Sequence, residues 1–275
     1  MDRMQAHRLF FANLITGQAG LPPGSELAAA LASTPRERFV GPPPWRIFTR
    51  SGYVATPSDD PALLYQDVVV SLGGEGPFNN GQPTLHALCI ATLDPRKGER
   101  VVHVGAGTGY YTTLLAKLVG EAGAVDAYEI EPEFALRATN NLAEFPYVTV
   151  HSRSGAEGPL PACDVLYVNA GATEPLGVWL DALCPKGRLL FPMTPAEGAG
   201  AMLLITKQDD GEFAARFLLQ VQFVPCIGAR DEATGQKLSE AFRNSGWAKV
   251  KSLHRNGAPD ESCWFAGDGW WLSTK

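Results

Sequence analysis

From Glu99 to Met193 the chain repeats one pattern, a short apolar run followed by a segment of helical periodicity. "RVVHVGA", "AVDAYEI", "YVTVHS", "CDVLYVNAG" and "RLLFPM" read as strands, and "GYYTTLLAKLVGEAG", "EPEFALRATNNLAEF" and "PLGVWLDALCPKG" as helices. Runs that are apolar on both faces are stable only inside a sheet covered on both sides. The alternation therefore predicts an α/β fold with a doubly wound, mostly parallel sheet. "AMLLITKQDDGEFAARFLLQVQFVPCIG" then reads as an antiparallel C-terminal hairpin.

The flanks differ in character. Residues 1 to 40 carry two helical patterns parted by "GQAGLPPG", and Gly41 to Pro61 reads as an ordered, proline-rich loop or cover segment. "LYQDVVVSL" reads as a short β-branched strand, and "QPTLHALCIATL" as a helix with Pro83 in its first turn. Residues 232 to 275 hold one amphipathic helix and a segment bearing Trp264, Trp270 and Trp271, read as packing aromatics with substrate contact as the alternative. The expected division is an N-terminal helical and loop cover (1–75), a ligand-binding core (76–230) and a small C-terminal α+β appendage (231–275).

A net charge of -6 with no basic block argues against a nucleic-acid surface. The N-terminal apolar patch is interrupted by Asn13 and fits neither a secretory signal nor a membrane span, so the expectation is a cytoplasmic protein with no membrane partner. Five scattered cysteines without a CxxC pair read as reduced, buried thiols, and five histidines without HExxH spacing predict no metal.

In "VVHVGAGTGYY", Gly105, Gly107 and Gly109 follow a β-branched run and precede a helix. Glycines let backbone approach a ligand closely, and the helix start presents free N–H groups, which makes a cofactor pocket. The GxGxG spacing differs from the dinucleotide GxGxxG. Glu129 closes the next strand about 20 residues on, where a carboxylate can accept both ribose hydroxyls. A solvated strand-end charge is the plainer alternative for it.

These residues resemble motif I and its acidic partner in class I methyltransferases that use S-adenosylmethionine. Further stretches narrow the resemblance to protein L-isoaspartate O-methyltransferases. "TPRERFVGP" is similar to that family's arginine and FVP signature, and "GPFNNGQPTLHA" stands in place of its GQTISxP stretch. "GAGTGYYTTLLA", "LDALCPKGRLLFPM" and "VQFVPC" are similar to its GTGSGYxAAxLA, LKxGGRLVxPV and VRFVPL. The resemblance covers roughly residues 25 to 228 and implies a Rossmann-like sheet with S-adenosylmethionine as cofactor. The cofactor residues it implies are Gly105, Ala106, Gly107, Thr108, Gly109, Tyr110, Glu129 and Ile130, joined by Ser154 and Gly155 at the adenine edge, with Asn169 and His86 as further contacts. A turn-capping role for Asn169 and a helix-core role for His86 remain open.

The chain departs from the family at three points. The family's acceptor-gripping serine falls on Gly81, its Asp-Gly pair on Ser154 and Gly155, and a motif glutamate on His103. A carboxylate nucleophile is ionised at neutral pH and needs no general base, only donors that grip one oxygen. Asn79, Asn80 and Gln82 supply such donors and are the candidate catalytic residues, with Thr84 adding a hydroxyl. The alternative is a turn whose Asn and Gly residues only satisfy backbone. The expected activity is S-adenosylmethionine-dependent methylation of a carboxylate on a peptide, protein or small molecule. The alternatives are another methyl acceptor, a non-catalytic S-adenosylmethionine-binding protein and, in another class, a nicotinamide oxidoreductase.

Overall fold

The computed structural model of the chain describes residues 2–73 and 78–275. In chain order the elements are helices α1 (Arg3–Gln18) and α2 (Glu26–Ala32), strands β1 (Arg46–Thr49) and β2 (Gly52–Ala55), then α3 (Pro83–Leu93). The alternating region follows as β3 (Arg100–Val104), α4 (Tyr110–Val119), β4 (Ala124–Glu129), α5 (Pro132–Asn141), β5 (Val148–Ser152), β6 (Cys163–Val168), α6 (Gly177–Ala182) and β7 (Leu183–Met193). The chain ends with β8 (Gly200–Lys207), β9 (Phe213–Val221), α7 (Glu232–Arg243), β10 (Ser252–Arg255), β11 (Cys263–Ala266) and β12 (Trp270–Ser273).

Two compact units form. One contains the chain up to Glu99 with Ala106–Arg153, the other Arg100–Gly105 with Ser154–Lys275. In the first, α1 starts on an Asp2 side chain that accepts from the Gln5 amide, and α2 on Ser25 doing the same for Ala28. α3 and α5 start on Pro83 and Pro132, whose missing N–H is no loss in a first turn. β4 and β5 pair in parallel, as expected for strands joined by a helix.

In the second unit the strands run in the order β11-β12-β10-β9-β8-β7-β6-β3. β3, β6 and β7 are parallel and the remaining pairs antiparallel. Val165, Leu166, Leu189, Leu190 and Phe191 are fully buried, which accounts for the continuous apolar runs read from the sequence. The antiparallel part extends beyond the expected hairpin because β10 adds to the margin of β9. Trp264 packs edge-on against Phe217 of β9 and Phe242 of α7, at 5.2 and 5.3 Å, in agreement with the packing role read for it. The β11–β12 register shifts between Cys263 and Phe265.

Three local expectations are corrected. Gly41 to Pro61 is not all loop: the β1–β2 hairpin forms between its prolines. "LYQDVVVSL" makes no strand, and Val70 and Ser71 form only single bridges to Ile47 and Asn79. The carbonyls of Leu64, Gln66 and Val68 bond to the Arg36 guanidinium, while the Val69 carbonyl and the Ser71 amide bond to the Phe48 amide and the Arg46 carbonyl of β1. The helix in "PLGVWLDALCPKG" ends at Ala182, short of Pro185, which lacks the N–H to continue it, and the chain passes directly into β7. Among the described residues no helix is long and apolar enough to cross a membrane.

Candidate active site

The glycine loop of the first unit is fixed from several directions. The Ala106 amide donates to the Tyr128 carbonyl (3.1 Å), the Thr108 hydroxyl to the Phe39 carbonyl (2.6 Å), and the Asn141 side chain to the Thr108 carbonyl (2.9 Å). Gly109 stands at the start of α4 with φ 92°, and a Cβ there would lie 3.1 Å from Leu142 and 3.5 Å from the Ala138 backbone. It is glycine because α5 passes so closely. Gly107 faces the Leu72 side chain, and the Leu72 amide in turn bonds the Phe78 carbonyl at 3.0 Å.

Glu129 ends β4 with its carboxylate on this loop. One oxygen accepts from the Gly107 amide at 2.6 Å, the other from the Glu131 amide at 3.0 Å. Burial raises the carboxyl above its ordinary range, and these backbone bonds, with one from Ile130, offset the rise in part. Ile130 beside it is exposed. Tyr110 contributes packing: its buried ring meets Phe39 edge-on at 5.3 Å, and burial pushes its phenol up to about 12.

The Asn79 to Gln82 stretch is described from Phe78 onward; Gly74 to Pro77 lie outside the described residues. The Asn79 side-chain oxygen accepts from the Gly81 amide (2.9 Å), and the Asn80 oxygen from the Val70 amide (2.8 Å). Both residues thus use their acceptor ends to shape the turn, which is the structural role the sequence had left open for them. Gln82 is set otherwise: its amide nitrogen donates to Asp67 at 2.8 Å. The Thr84 hydroxyl donates to Gln18. Gly81 has φ 69°, and an added Cβ would fall 2.0 Å from Nε2 of His86, whose ring lies on Tyr111 at 3.8 Å. His86 is buried beneath this turn.

In the second unit Gly105 and Asn169 are neighbours: a Cβ on Gly105 would sit 3.4 Å from the Asn169 carbonyl carbon. The Asn169 amide meets Nε2 of His103 at 2.8 Å. Burial lowers His103 to about 3, so its ring is neutral, and Nε2 accepts from the Asn169 NH₂. The Asn169 oxygen is buried and has no hydrogen-bond partner among the described residues. Ser154 donates to the Ile227 carbonyl (3.3 Å) and accepts from the Ala156 amide (3.1 Å), while the Gly155 carbonyl accepts from the buried Trp179 indole at 2.8 Å.

The structure thus joins Glu129 to the glycine loop, His86 to the acceptor-side turn, and Asn169 to Gly105. Sequence reasoning missed Asp67, Arg36 and the His103–Asn169 pairing. These links span 15 to 66 residues and carry no local period. Among the described residues no cluster of three or more His, Cys, Asp or Glu could hold a metal ion.

Residues 18–231 match the model of the protein-L-isoaspartate(D-aspartate) O-methyltransferase family. The protein-L-isoaspartate O-methyltransferase of Aeropyrum pernix is 32% identical over 221 residues, 77% of this chain and 76% of that one. A second such enzyme, from Anaeromyxobacter, is 33% identical over 204 residues, 71% of this chain and 73% of its own. Among solved structures, a protein-L-isoaspartate O-methyltransferase superposes with a TM-score of 0.67 at 22% identity, covering 90% of this chain and 74% of that one. A Plasmodium falciparum relative, solved with S-adenosyl-L-homocysteine, gives a TM-score of 0.63 at 16% identity over 80% of this chain and 98% of its own. These two likenesses establish that the chain shares the fold of those two proteins, a mostly parallel core with antiparallel C-terminal strands.

Proposed function

Since the chain belongs to the protein-L-isoaspartate(D-aspartate) O-methyltransferase family, we propose that it transfers the methyl group of S-adenosylmethionine to the carboxylate of an isoaspartyl residue in a peptide or protein. The observation that carries the reading is the Glu129 carboxylate, buried at the end of β4 and bonded to the Gly107 amide. A buried acid beside a glycine turn suits a ribose, whose two hydroxyls can replace its backbone donors. The cofactor supplies the electrophilic methyl group; the chain's own residues bind, align and exclude water. Ala106, Gly107, Thr108, Gly109 and Tyr110 contribute backbone, and Ile130 an apolar surface. Gly105, Ser154, Gly155, Asn169 and His86 complete the proposed cofactor set on the strength of their sequence positions.

On the acceptor side the Asn80 oxygen is occupied, so its NH₂ is the end offered to a carboxylate. Asn79 and Gln82 flank it. The acceptor needs no base, and the chain need only hold one oxygen while the other attacks. A different carboxylate acceptor is the second reading. It is favoured by Gly81, where His86 leaves no room for a side chain at the position the family gives to serine. The family match ends at residue 231, which supports treating 231–275 as an appendage; the division of the rest into a cover of 1–75 and a core of 76–230 rests on the sequence pattern alone.

The test is calorimetry with S-adenosylmethionine, followed by methyl transfer to an isoaspartyl peptide. Cofactor binding without methylation of that peptide would reject the isoaspartyl acceptor in favour of the second reading. Gly107→Val is expected to abolish cofactor binding, whereas Asn80→Ala is expected to spare it and reduce turnover.

A further inference from the structure

Arg36 is 1% exposed, with its guanidinium over the Phe11 and Tyr110 rings at 5.0 and 5.8 Å. It donates to the carbonyls of Leu64, Gln66 (2.9 Å) and Val68 (3.2 Å). The carbonyls on either side of Asp67 are therefore fixed by one permanently charged, planar fork. From this backbone the two oxygens of Asp67 reach different ends of the next turn. One accepts from the Thr84 amide at 2.8 Å, satisfying a free donor in the first turn of α3, where Gln82 makes no capping bond of its own. The other accepts from the Gln82 side-chain nitrogen at 2.8 Å.

A carboxylate only accepts, so Asp67 must take the NH₂ end of Gln82 and leave the carbonyl oxygen outward. Asn80 is oriented the other way, with its oxygen held by Val70 and its NH₂ left over. Two residues apart, the turn therefore offers one donor and one acceptor. A carboxylate oxygen matches the first and a neighbouring N–H the second.

We propose that Asp67 is a positioning residue for methyl transfer: it orients the Gln82 amide so that its oxygen receives an N–H of the acceptor next to the carboxylate being methylated. The inference rests on the reading of Asn79 to Gln82 as the acceptor-side wall. Asp67→Asn turns an NH₂ toward Gln82 and reverses that amide. The KM for an isoaspartyl peptide is expected to rise about tenfold, the worth of one hydrogen bond, with S-adenosylmethionine affinity unchanged. Adding Gln82→Glu restores an acceptor facing Asn and an oxygen facing outward, and is expected to recover KM to within about threefold of wild type. Gln82→Met, which leaves the α3 cap intact, is expected to raise KM as Asp67→Asn does, with no further rise when the two are combined. An unchanged KM in Asp67→Asn, or a double variant no better than the single one, would overturn the proposal, since a purely structural Asp67 gives no rescue. If the wild-type protein left the peptide unmethylated, the acceptor reading would fall by itself. The NMR signals of the Gln82 side-chain NH₂ would then decide for Asp67: loss of their hydrogen-exchange protection in Asp67→Asn supports the proposal, and no change overturns it.

Discussion

The imidazole of His86 fills the space that a side chain at Gly81 would need, with Nε2 2.0 Å from where the Cβ would stand. His86 cannot retreat easily, because its other face lies on Tyr111 at 3.8 Å. Gly81→Ala adds this overlap to the strain of φ 69° and is expected to cost about 2–4 kcal/mol in urea unfolding. Combining it with His86→Ala removes the overlap but not the strain. The pair should therefore show a favourable coupling energy in a double-mutant cycle.

Glu129 should be needed for the cofactor yet costly to the fold when ionised. Glu129→Gln is expected to weaken S-adenosylmethionine binding about tenfold or more by calorimetry. Its stability effect has a definite sign. Burial raises the folded carboxyl above 4.5, so the folded chain holds this proton more tightly than the unfolded chain. That contribution is full below 4.5 and is lost as pH rises through the folded value. In urea titrations across this range, wild-type stability relative to the Gln variant is expected to fall with rising pH; a rise would contradict it.

His103 gives the opposite slope. Its folded value of about 3 lies below the ordinary 6.5, so the neutral ring's contribution is present above 6.5 and lost as pH falls toward the folded value. The loss is on the order of a few kcal/mol for so deeply buried a ring. His103→Gln keeps an acceptor for Asn169 and cannot protonate. Its acid unfolding midpoint is expected to lie below that of the wild type.

Trp179 is fully buried, and its indole N–H serves the Gly155 carbonyl. Trp179→Phe leaves that carbonyl without its donor and is expected to cost about 1–3 kcal/mol in thermal or urea unfolding. Trp179→Ala adds a cavity and should cost about 3–5 kcal/mol. If Gly155 meets the adenine, calorimetry on the Phe variant should also show weakened cofactor binding.

The strands and helices between Arg100 and Ser152 were legible because each advertises itself within a few residues: a β-branched run, glycines at a turn, a proline opening α5. Val68 to Val70 carry the same β-branched signal and form only isolated bridges: a guanidinium 32 residues upstream takes the Val68 carbonyl, and the amides of Phe48 and Asn80 take those of Val69 and Val70. Nothing local announces that. The candidate site divides in the same way. Glu129 was identifiable from its place after the glycine loop. The orientations of the Asn80 and Gln82 amides depend on Val70 and Asp67, at separations of 10 and 15 residues, and only the fold shows which end of each faces out.

The register shift at Trp264 bears on how the chain tolerates its aromatic tail. β11 ends the run of strands and would present a free row of N–H and C=O groups to any extended chain nearby. A bulge spoils the even spacing that such an intruder must match. The Trp264 indole, which donates to the Ser245 carbonyl at 3.2 Å, keeps that irregular step in place. Among the described residues the outermost strand therefore meets a would-be intermolecular partner with an irregular rather than an even edge.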